Sequence, residues 1–447
     1  MKQYSLYKDS GVPWIGKIPI SWGIRRLKSI ASLQGGGTPS RSVAKYWDGD
    51  IPWVSSAEVK TDIINDTSQH ITEEAVGQSS ANIIPAGSLV MVVRSGILKH
   101  TIPVAILGRA MAINQDIKAF NVHDIKASYL KYLFNGCNDA LLTILRKDAT
   151  TVDNLDVNLL LDCQLPLPPM GEQEKIVTYL DVITNSIDIV IRKTEDSIMR
   201  LREYRQSLIN EAVTKGLHPN ASMKDSGVPW VGEIPAAWRV ERLRFLGTLS
   251  GGGADKKVRE GEALFHAAHY MNVYSAASKT LNPATFLKVS LPQEKAKALK
   301  LDVGDVLFTS SSETPEDIGH AAVVTEPLPE DSVYGYHLVR FRPASGVYDP
   351  SFERYFFESE AARTWLQYRA NGITRYGVIG IDYSDYPALV PPIDEQRLIA
   401  NYLDEKASAI DAAIQGAEES IVRLREYRQS LINEAVTGKI KVLGVEE

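Results

Sequence analysis

Cysteine is nearly missing from this chain: two residues, Cys137 and Cys163, stand among 447. Their spacing fits neither a zinc site nor a disulfide framework, so two buried thiols are expected. No apolar run approaches the roughly 20 residues of a membrane span, and Met1-Lys2-Gln3-Tyr4 opens into polar residues rather than an apolar leader. The expectation is a cytoplasmic protein without membrane contact. Catalytic signatures are lacking as well. Gly35-Gly36-Gly37-Thr38 has no Gly-Lys-Ser/Thr ending to cradle ATP, no G-x-G-x-x-G follows a strand, and no H-E-x-x-H or paired-ligand spacing occurs. An intrinsic adenosylmethionine or dinucleotide site is therefore unsupported. Asp394-Glu395-Gln396-Arg397 resembles a helicase acidic box, but it opens a long helix, where carboxylates complement the dipole. The chain reads as non-catalytic. An excess of positive charge is also missing, since 49 Lys and Arg face 55 Asp and Glu. Residues 1–167 carry 17 basic against 15 acidic side chains, and residues 223–390 carry 18 against 21. Any nucleic-acid surface must be a local patch.

What the chain does have is repetition. A length of 447 residues exceeds one ordinary core, so two or three domains are expected, and 44% hydrophobic with 23% charged residues is a globular balance. From Glu172 to Thr214, apolar residues recur at Ile176, Leu180, Ile183, Ile187 and Val190, and resume at Ile198, Leu201 and Leu208. That spacing predicts one stripe of a helix, with an extra step of four after Thr194 that relaxes any supercoil. At about 1.5 Å per residue the helix is a rod of roughly 60 Å, which needs a partner. Glu395 to Thr437 aligns with it without a gap, 223 positions on, with its stripe at Ile399, Leu403, Ile410, Ala413, Ile421, Leu424 and Leu431. Arg200–Thr214 and Arg423–Thr437 share the same 15 residues. Each copy follows a Pro-Pro pair and opens with an acidic first turn, as a helix start favours. Burying Leu and Ile at about 1.5–3 kcal/mol each favours pairing the two stripes in one intramolecular coiled coil.

A second repeat precedes each helix. Lys8–Gly37 recurs as Lys224–Gly253, 216 positions on, each a Gly/Pro-rich loop with two tryptophans, Trp14 and Trp22 or Trp230 and Trp238. The inserts between loop and helix are not copies. The first predicts strands at Ser88–Val93 and Pro103–Leu107 and a helix at Ala127–Phe134. The second predicts strands at Asp305–Thr309 and His320–Thr325 and a helix at Ser351–Tyr368. The chain thus divides into a first domain (1–167), a long helix (168–215), a second domain (216–390), and a second long helix with a tail (391–447).

A variable domain ending in a Pro-Pro-x-x-Glu-Gln helix, then repeated with a different variable domain, resembles the DNA specificity subunit of Type I restriction-modification systems. The motifs that carry the likeness include Gly36-Gly37-Thr38-Pro39-Ser40, Tyr46-Trp47, Ile51-Pro52-Trp53, Asn114-Gln115 and Thr374-Arg375-Tyr376-Gly377. The resemblance implies an α+β fold: two mixed α/β target recognition domains separated by a long antiparallel two-helix coiled coil, with pseudo-twofold internal repetition. It implies recognition of an asymmetric bipartite double-stranded DNA sequence, one half-site per domain. It implies docking of methyltransferase (modification) subunits and restriction/translocase subunits, with S-adenosylmethionine, ATP and Mg on those partners and no cofactor in this chain. The second domain departs in one motif, with Gly251-Gly252-Gly253-Ala254-Asp255 where the first has Gly-Gly-Gly-Thr-Pro. The counterpart of Thr38 is therefore Ala254, which has no hydroxyl.

Base edges are read by polar loop side chains while phosphate contacts set register. The candidates in the first domain are Thr38, Ser40, Arg41, Arg94, Lys99, His100 and Gln115. In the second they are Lys256, Lys257, Arg259, Ser310, Ser311, Arg375 and Tyr376. Trp47 and Trp53 are expected in the core rather than stacked on bases. In the repeated 15-residue run, Arg202, Tyr204, Arg205, Arg425, Tyr427 and Arg428 are candidates for partner docking, because identity over 15 positions exceeds what an apolar stripe requires. Two other readings stay open: an autonomous methyltransferase or nuclease, which the missing motifs disfavour, and a coiled-coil scaffold or adaptor without sequence-specific DNA binding.

Overall fold

The computed structural model describes residues 3–147, 152–276 and 279–442, so the end of the expected tail, 443–447, lies outside the described residues. Two helices dominate, Met170–Lys215 with 46 residues and Ile393–Val436 with 44. The chain divides into two compact units, Met1–Thr194 with Glu419–Glu447, and Glu195–Glu418. The division falls inside both long helices, so each unit contains a stretch of each. Within unit 1, Asp188 pairs with Arg428 at 3.1 Å. Within unit 2, Arg205 pairs with Asp411 at 2.9 Å and Arg202 with Glu418 at 2.7 Å. Numbers rise along one helix as they fall along the other, so the pair is antiparallel. Under the 223-residue offset Arg205 becomes Arg428 and Asp188 becomes Asp411, so the same ion pair is made twice.

The stripe corrects one expectation. Ile191 and Ile414 are buried, at 7% and 9% exposure, while Val190 is 47% exposed and Ala413 also faces outward. With Ile191 in place, steps of four and three alternate unbroken through residues 187, 191, 194, 198, 201, 205, 208 and 212. The extra step expected after Thr194 does not occur. Polar Thr194 and Arg205 occupy stripe positions, which hid the phase.

The repeated motifs close each unit. Trp22, fully buried, donates its indole N–H to Glu172 at 3.0 Å, and Trp238 does the same to Glu395 at 2.9 Å. Gln173 accepts from the Lys126 N–H at 2.9 Å and donates to the Pro168 carbonyl at 3.0 Å. Gln396 accepts from the Asp349 N–H at 2.8 Å and donates to the Pro391 carbonyl at 2.9 Å. The Glu-Gln pair that opens each long helix thus fastens it to a tryptophan loop and to the helix of its recognition domain. Those domain helices, Ala127–Gly136 and Pro350–Glu358, lie against the frame through Tyr132 to Asp181 and Tyr355 to Asp404, both at 2.6 Å.

In unit 1 a five-stranded sheet has the order Ala31–Gly35, Ile117–Val122, Leu89–Val92, Val104–Leu107, Ile63–Ile64, beside a four-stranded sheet centred on Ile51–Val54 and Met111–Ile113. In unit 2 the order Gly247–Gly252, Leu338–Pro343, Val306–Thr309, Ala321–Val323 repeats the first four strands of the larger sheet, despite unlike sequences. The single helix expected at 351–368 is two, Pro350–Glu358 and Glu360–Arg369. Ser359 breaks it: its backbone is extended and its hydroxyl caps the second helix by accepting from the Ala362 N–H at 3.2 Å. Cys137 and Cys163 are buried free thiols, and burial pushes them up to about 12 and about 11. No described helix is long and apolar enough to cross a membrane.

Candidate nucleic-acid interface

In unit 1 the glycine run permits a close approach. A Cβ at Gly36 would lie 1.9 Å from the Ile113 carbonyl oxygen, so only glycine lets the chain pass this strand. That passage places Thr38 beside the loop after Met111–Ile113, where its hydroxyl donates to Gln115 Oε1 at 2.6 Å. Gln115 in turn donates to Asp116 at 3.3 Å, and Arg94 lies 3.9 Å from the same carboxylate. Asn114 sets this turn by accepting the Asp116 N–H at 3.1 Å. Two tryptophans hold the next residues: Trp53 donates to the Gly37 carbonyl at 3.0 Å and Trp47 to the Ser40 carbonyl at 3.2 Å. The Arg41 guanidinium then lies over Trp47, 4.4 Å from the ring centre, with an N–H on Gln69 at 3.1 Å. Trp53 is core, and Trp47 is half-buried as the backing of Arg41. The structure thus joins Thr38, Gln115 and Arg94 in one polar chain, with Ser40 and Arg41 on the adjoining loop. Lys99 and His100 are exposed at the end of a separate turn, Gly96–Lys99.

Unit 2 builds its candidate surface differently. Strand Ser311–Ser312 pairs with Tyr376–Gly377, which pairs with Asn371–Gly372, making a small antiparallel sheet. Its tip carries exposed Thr374 and Arg375 and Ile373, which is 95% exposed. Ser310 donates its hydroxyl to the His337 carbonyl at 3.0 Å. His337 is exposed with φ of 68°, and burial first, then the charges of Arg375 and Lys256, hold its ring below the ordinary imidazole range. Lys256, Ser310 and Arg375 therefore lie near His337, with Ser311 and Tyr376 on the adjoining strands. Lys257 and Arg259 run along another edge: the Arg259 N–H donates to Ser290 at 2.7 Å, and its guanidinium lies 3.7 Å from Asp255 and 3.8 Å from Glu262. Ala254, the counterpart of Thr38, is fully buried and offers no hydroxyl.

Sequence reasoning missed His337, Ile373, Gln69 and Asp116. His337 carries no signal, because a left-handed histidine is not readable from composition. Asp116 had one, standing beside the Asn114-Gln115 pair. Among the described residues no group of three or more His, Cys, Asp or Glu is placed to hold a metal ion.

The partner-docking candidates separate by exposure. Arg205 turns inward, bonded to Glu358 at 2.8 Å as well as to Asp411, and Arg428 pairs with Asp188. Arg202, Tyr204, Arg425 and Tyr427 are exposed. Much of the 15-residue identity has a structural cause. Ile209 and Ile432 are buried, Asn210 accepts the Glu360 N–H at 2.7 Å, and Asn433 donates to the Gly136 carbonyl at 2.9 Å.

A family model for the Type I restriction modification DNA specificity domain matches residues 19–198. Residues 19–198 are thus similar to the specificity domain of Type I systems. The chain is 32% identical over 213 residues to the EcoR124I/EcoR124II specificity subunit of Escherichia coli, covering 46% of this chain and 52% of that one. It is 32% identical over 257 residues to the MjaIX specificity subunit of Methanocaldococcus jannaschii, covering 54% and 56%. The chain thus spans about half the length of these two relatives. The MjaVIII subunit of the same organism aligns at 22% identity over 95% of this chain and 94% of its own length. In fold, the chain is similar to one solved in work on complex assembly and conformational transition of the type I R-M system, with TM-score 0.72 and 17% identity over 95% of this chain and 99% of that one. The HsdS subunit of Thermoanaerobacter tengcongensis follows with TM-score 0.54 and 17% identity over 95% and 98%.

Proposed function

We propose that this chain is the specificity subunit of a Type I restriction-modification complex and recognises an asymmetric bipartite double-stranded DNA sequence, one half-site per recognition domain. The observation that carries this reading is one frame bearing two unlike surfaces. Near-identical joints hold, in unit 1, a hydrogen-bonded Thr38–Gln115–Asp116–Arg94 chain with tryptophan-backed Arg41. In unit 2 they hold an exposed hairpin with Arg375 and Lys256 near His337. Polar groups at fixed positions read base edges in the major groove, and unlike surfaces read unlike sequences. Methyltransferase and restriction subunits supply the chemistry and bind S-adenosylmethionine, ATP and Mg. The docking face is the exposed side of the repeated run, with Arg202, Tyr204, Arg425 and Tyr427. The protein works in the cytoplasm, where its DNA is.

Selection from randomised duplex DNA, with and without the methyltransferase subunit, tests this reading. Arg41→Ala is expected to relax base preference in one half-site and Arg375→Ala in the other, each by about 1–3 kcal/mol for a lost bidentate contact. No selected sequence under either condition would leave the scaffold reading in its place.

A further inference from the structure

The two units differ at one joint of the frame. In unit 1 the helix Ile393–Val436 leads to Gly438, with φ of 72°, packed on Pro19 and Trp22. Lys439 follows, and its ammonium donates to the carbonyls of Ile15 at 2.8 Å and Lys17 at 2.6 Å. Burial holds that ammonium below the ordinary lysine range. In unit 2 the order of glycine and lysine is reversed: Lys215 precedes Gly216, which, with φ of 70°, packs on Pro235 and Trp238, the repeats of Pro19 and Trp22, and is followed by Leu217. The repeats of Ile15 and Lys17 are Val231 and Glu233, 216 positions on.

The turn that aims the carbonyls is the same in both units. Ser10 N–H to Gly16 carbonyl and Gly16 N–H to Val12 carbonyl, each 3.0 Å, recur as Ser226 to Gly232 and Gly232 to Val228, each 3.0 Å. Leu217 has no side-chain donor, and among the described residues no lysine ammonium is bonded to the carbonyl of Val231 or Glu233. Those residues line a groove of about 950 Å3 with Leu208, Leu217, Tyr402, Glu211 and the exposed Lys215, whose ammonium is bonded to neither carbonyl. Its apolar walls suit the methylene stem of a long side chain, whose charged end reaches the polar rim. Charge differs in the same direction. Lys17 of unit 1 is Glu233 in unit 2, whereas Glu211 is matched by Glu434 in unit 1.

We propose that this groove of unit 2 is a binding site for a lysine side chain presented by a partner protein, its ammonium seated on the carbonyls of Val231 and Glu233. That the partner is the methyltransferase subunit rests on the functional reading above; the ammonium site does not.

The probe is Nα-acetyl-lysine methylamide, titrated into the full chain labelled with methyl-13C methionine and read at Met223, which lines the groove. A saturable shift is expected, at least tenfold weaker for Nα-acetyl-norleucine methylamide, which has the stem without the ammonium. Leu217→Lys supplies an internal ammonium, as Lys439 does in unit 1, and is expected to abolish the shift. No saturable shift, an equal response to both compounds, or an undiminished response in L217K would overturn the site. In a second arm, L217K is expected to weaken methyltransferase association at least fivefold relative to L217M, with DNA binding unchanged. Equal association of the two variants overturns the assignment of the partner. Failure of the wild-type chain to associate with the methyltransferase would instead sink the functional reading, leaving the ammonium site to the first arm.

Discussion

Unit 1 and unit 2 fasten themselves in the same way and expose different chemistry. In both, an indole N–H meets the first-turn glutamate of a long helix, a glutamine ties that helix to its recognition domain, and a tyrosine meets an aspartate two turns on. On the frame side the residues that make these bonds are shared by the repeats; the tyrosines and the backbone N–H donors Lys126 and Asp349 lie in the unlike inserts. Where the recognition domains face outward, identity ends: unit 1 fixes its candidate readers in a polar chain over tryptophans, whereas unit 2 puts cations around a hairpin. The joints are alike because the same bonds are made twice, and the inserts differ while owing the frame only a few contacts.

The largest expected effect is loss of the tryptophan joint. Trp22→Ala and Trp238→Ala each delete a side chain of at most 1% exposure and leave a half-buried glutamate oxygen without its donor. Each is expected to cost about 3–5 kcal/mol. Urea denaturation of the two variants measures this, and equal losses would support equivalent joints, whereas a loss confined to one would break the comparison.

The repeated ion pair should be unequal. Arg205 has two carboxylate partners and, with Glu358, side chains only 16% and 13% exposed. Arg205→Met strands Glu358, at an expected cost of about 3 kcal/mol. Arg428 and Asp188 are 26% and 45% exposed, so Arg428→Met should cost about 0.2–1 kcal/mol. Equal costs in denaturation would show that burial does not distinguish the two copies.

Unit 2 also contains Glu353, fully buried, with no hydrogen-bond partner on either oxygen among the described residues. Burial first, then the charges of Asp305 and Asp349, raises its carboxyl well above the ordinary range. The folded state therefore holds a proton that the unfolded state releases, and the unit loses stability as pH rises from the unfolded carboxyl's value toward the folded one. Glu353→Gln removes that dependence. Its stability relative to the parent should grow by about 1.4 kcal/mol per pH unit within that window. Parallel stability curves for the two proteins between pH 5 and about 8 would remove the buried acid from the account.

The frame was legible because its signals are local and doubled. Pro-Pro, an acidic turn and an apolar period place each long helix within two residues of Met170–Lys215 and Ile393–Val436. The phase of the stripe was not, because Thr194 and Arg205 are polar yet sit on it. The split at Ser359 was hidden too, since an N-cap serine inside an amphipathic run looks like an exposed position. In the candidate site, Arg41 and Gln115 followed from motif and residue type. The hairpin around Arg375 depends on pairing Ser311 with Gly377, a long-range register that no local pattern announces.

The smallest expected effect separates the two surfaces by the kind of contact they make. If unit 2 relies on cations near phosphates, Lys256→Ala should weaken all duplexes alike and reduce the slope of log affinity against log salt by about 0.9, one released counterion's worth. The selected sequence should not change. In unit 1, Thr38→Val frees Gln115 from the hydroxyl that orients it. Its expected signature is the reverse: an unchanged salt slope with relaxed preference in one half-site, because an amide held only through its donation to Asp116 presents donor and acceptor with less discrimination. Salt titrations on a selected duplex and on one with that half-site scrambled measure both quantities. A salt-slope change in Thr38→Val, or a changed base preference in Lys256→Ala, would mean that Thr38 does not act through base reading or that Lys256 does not act on phosphate alone.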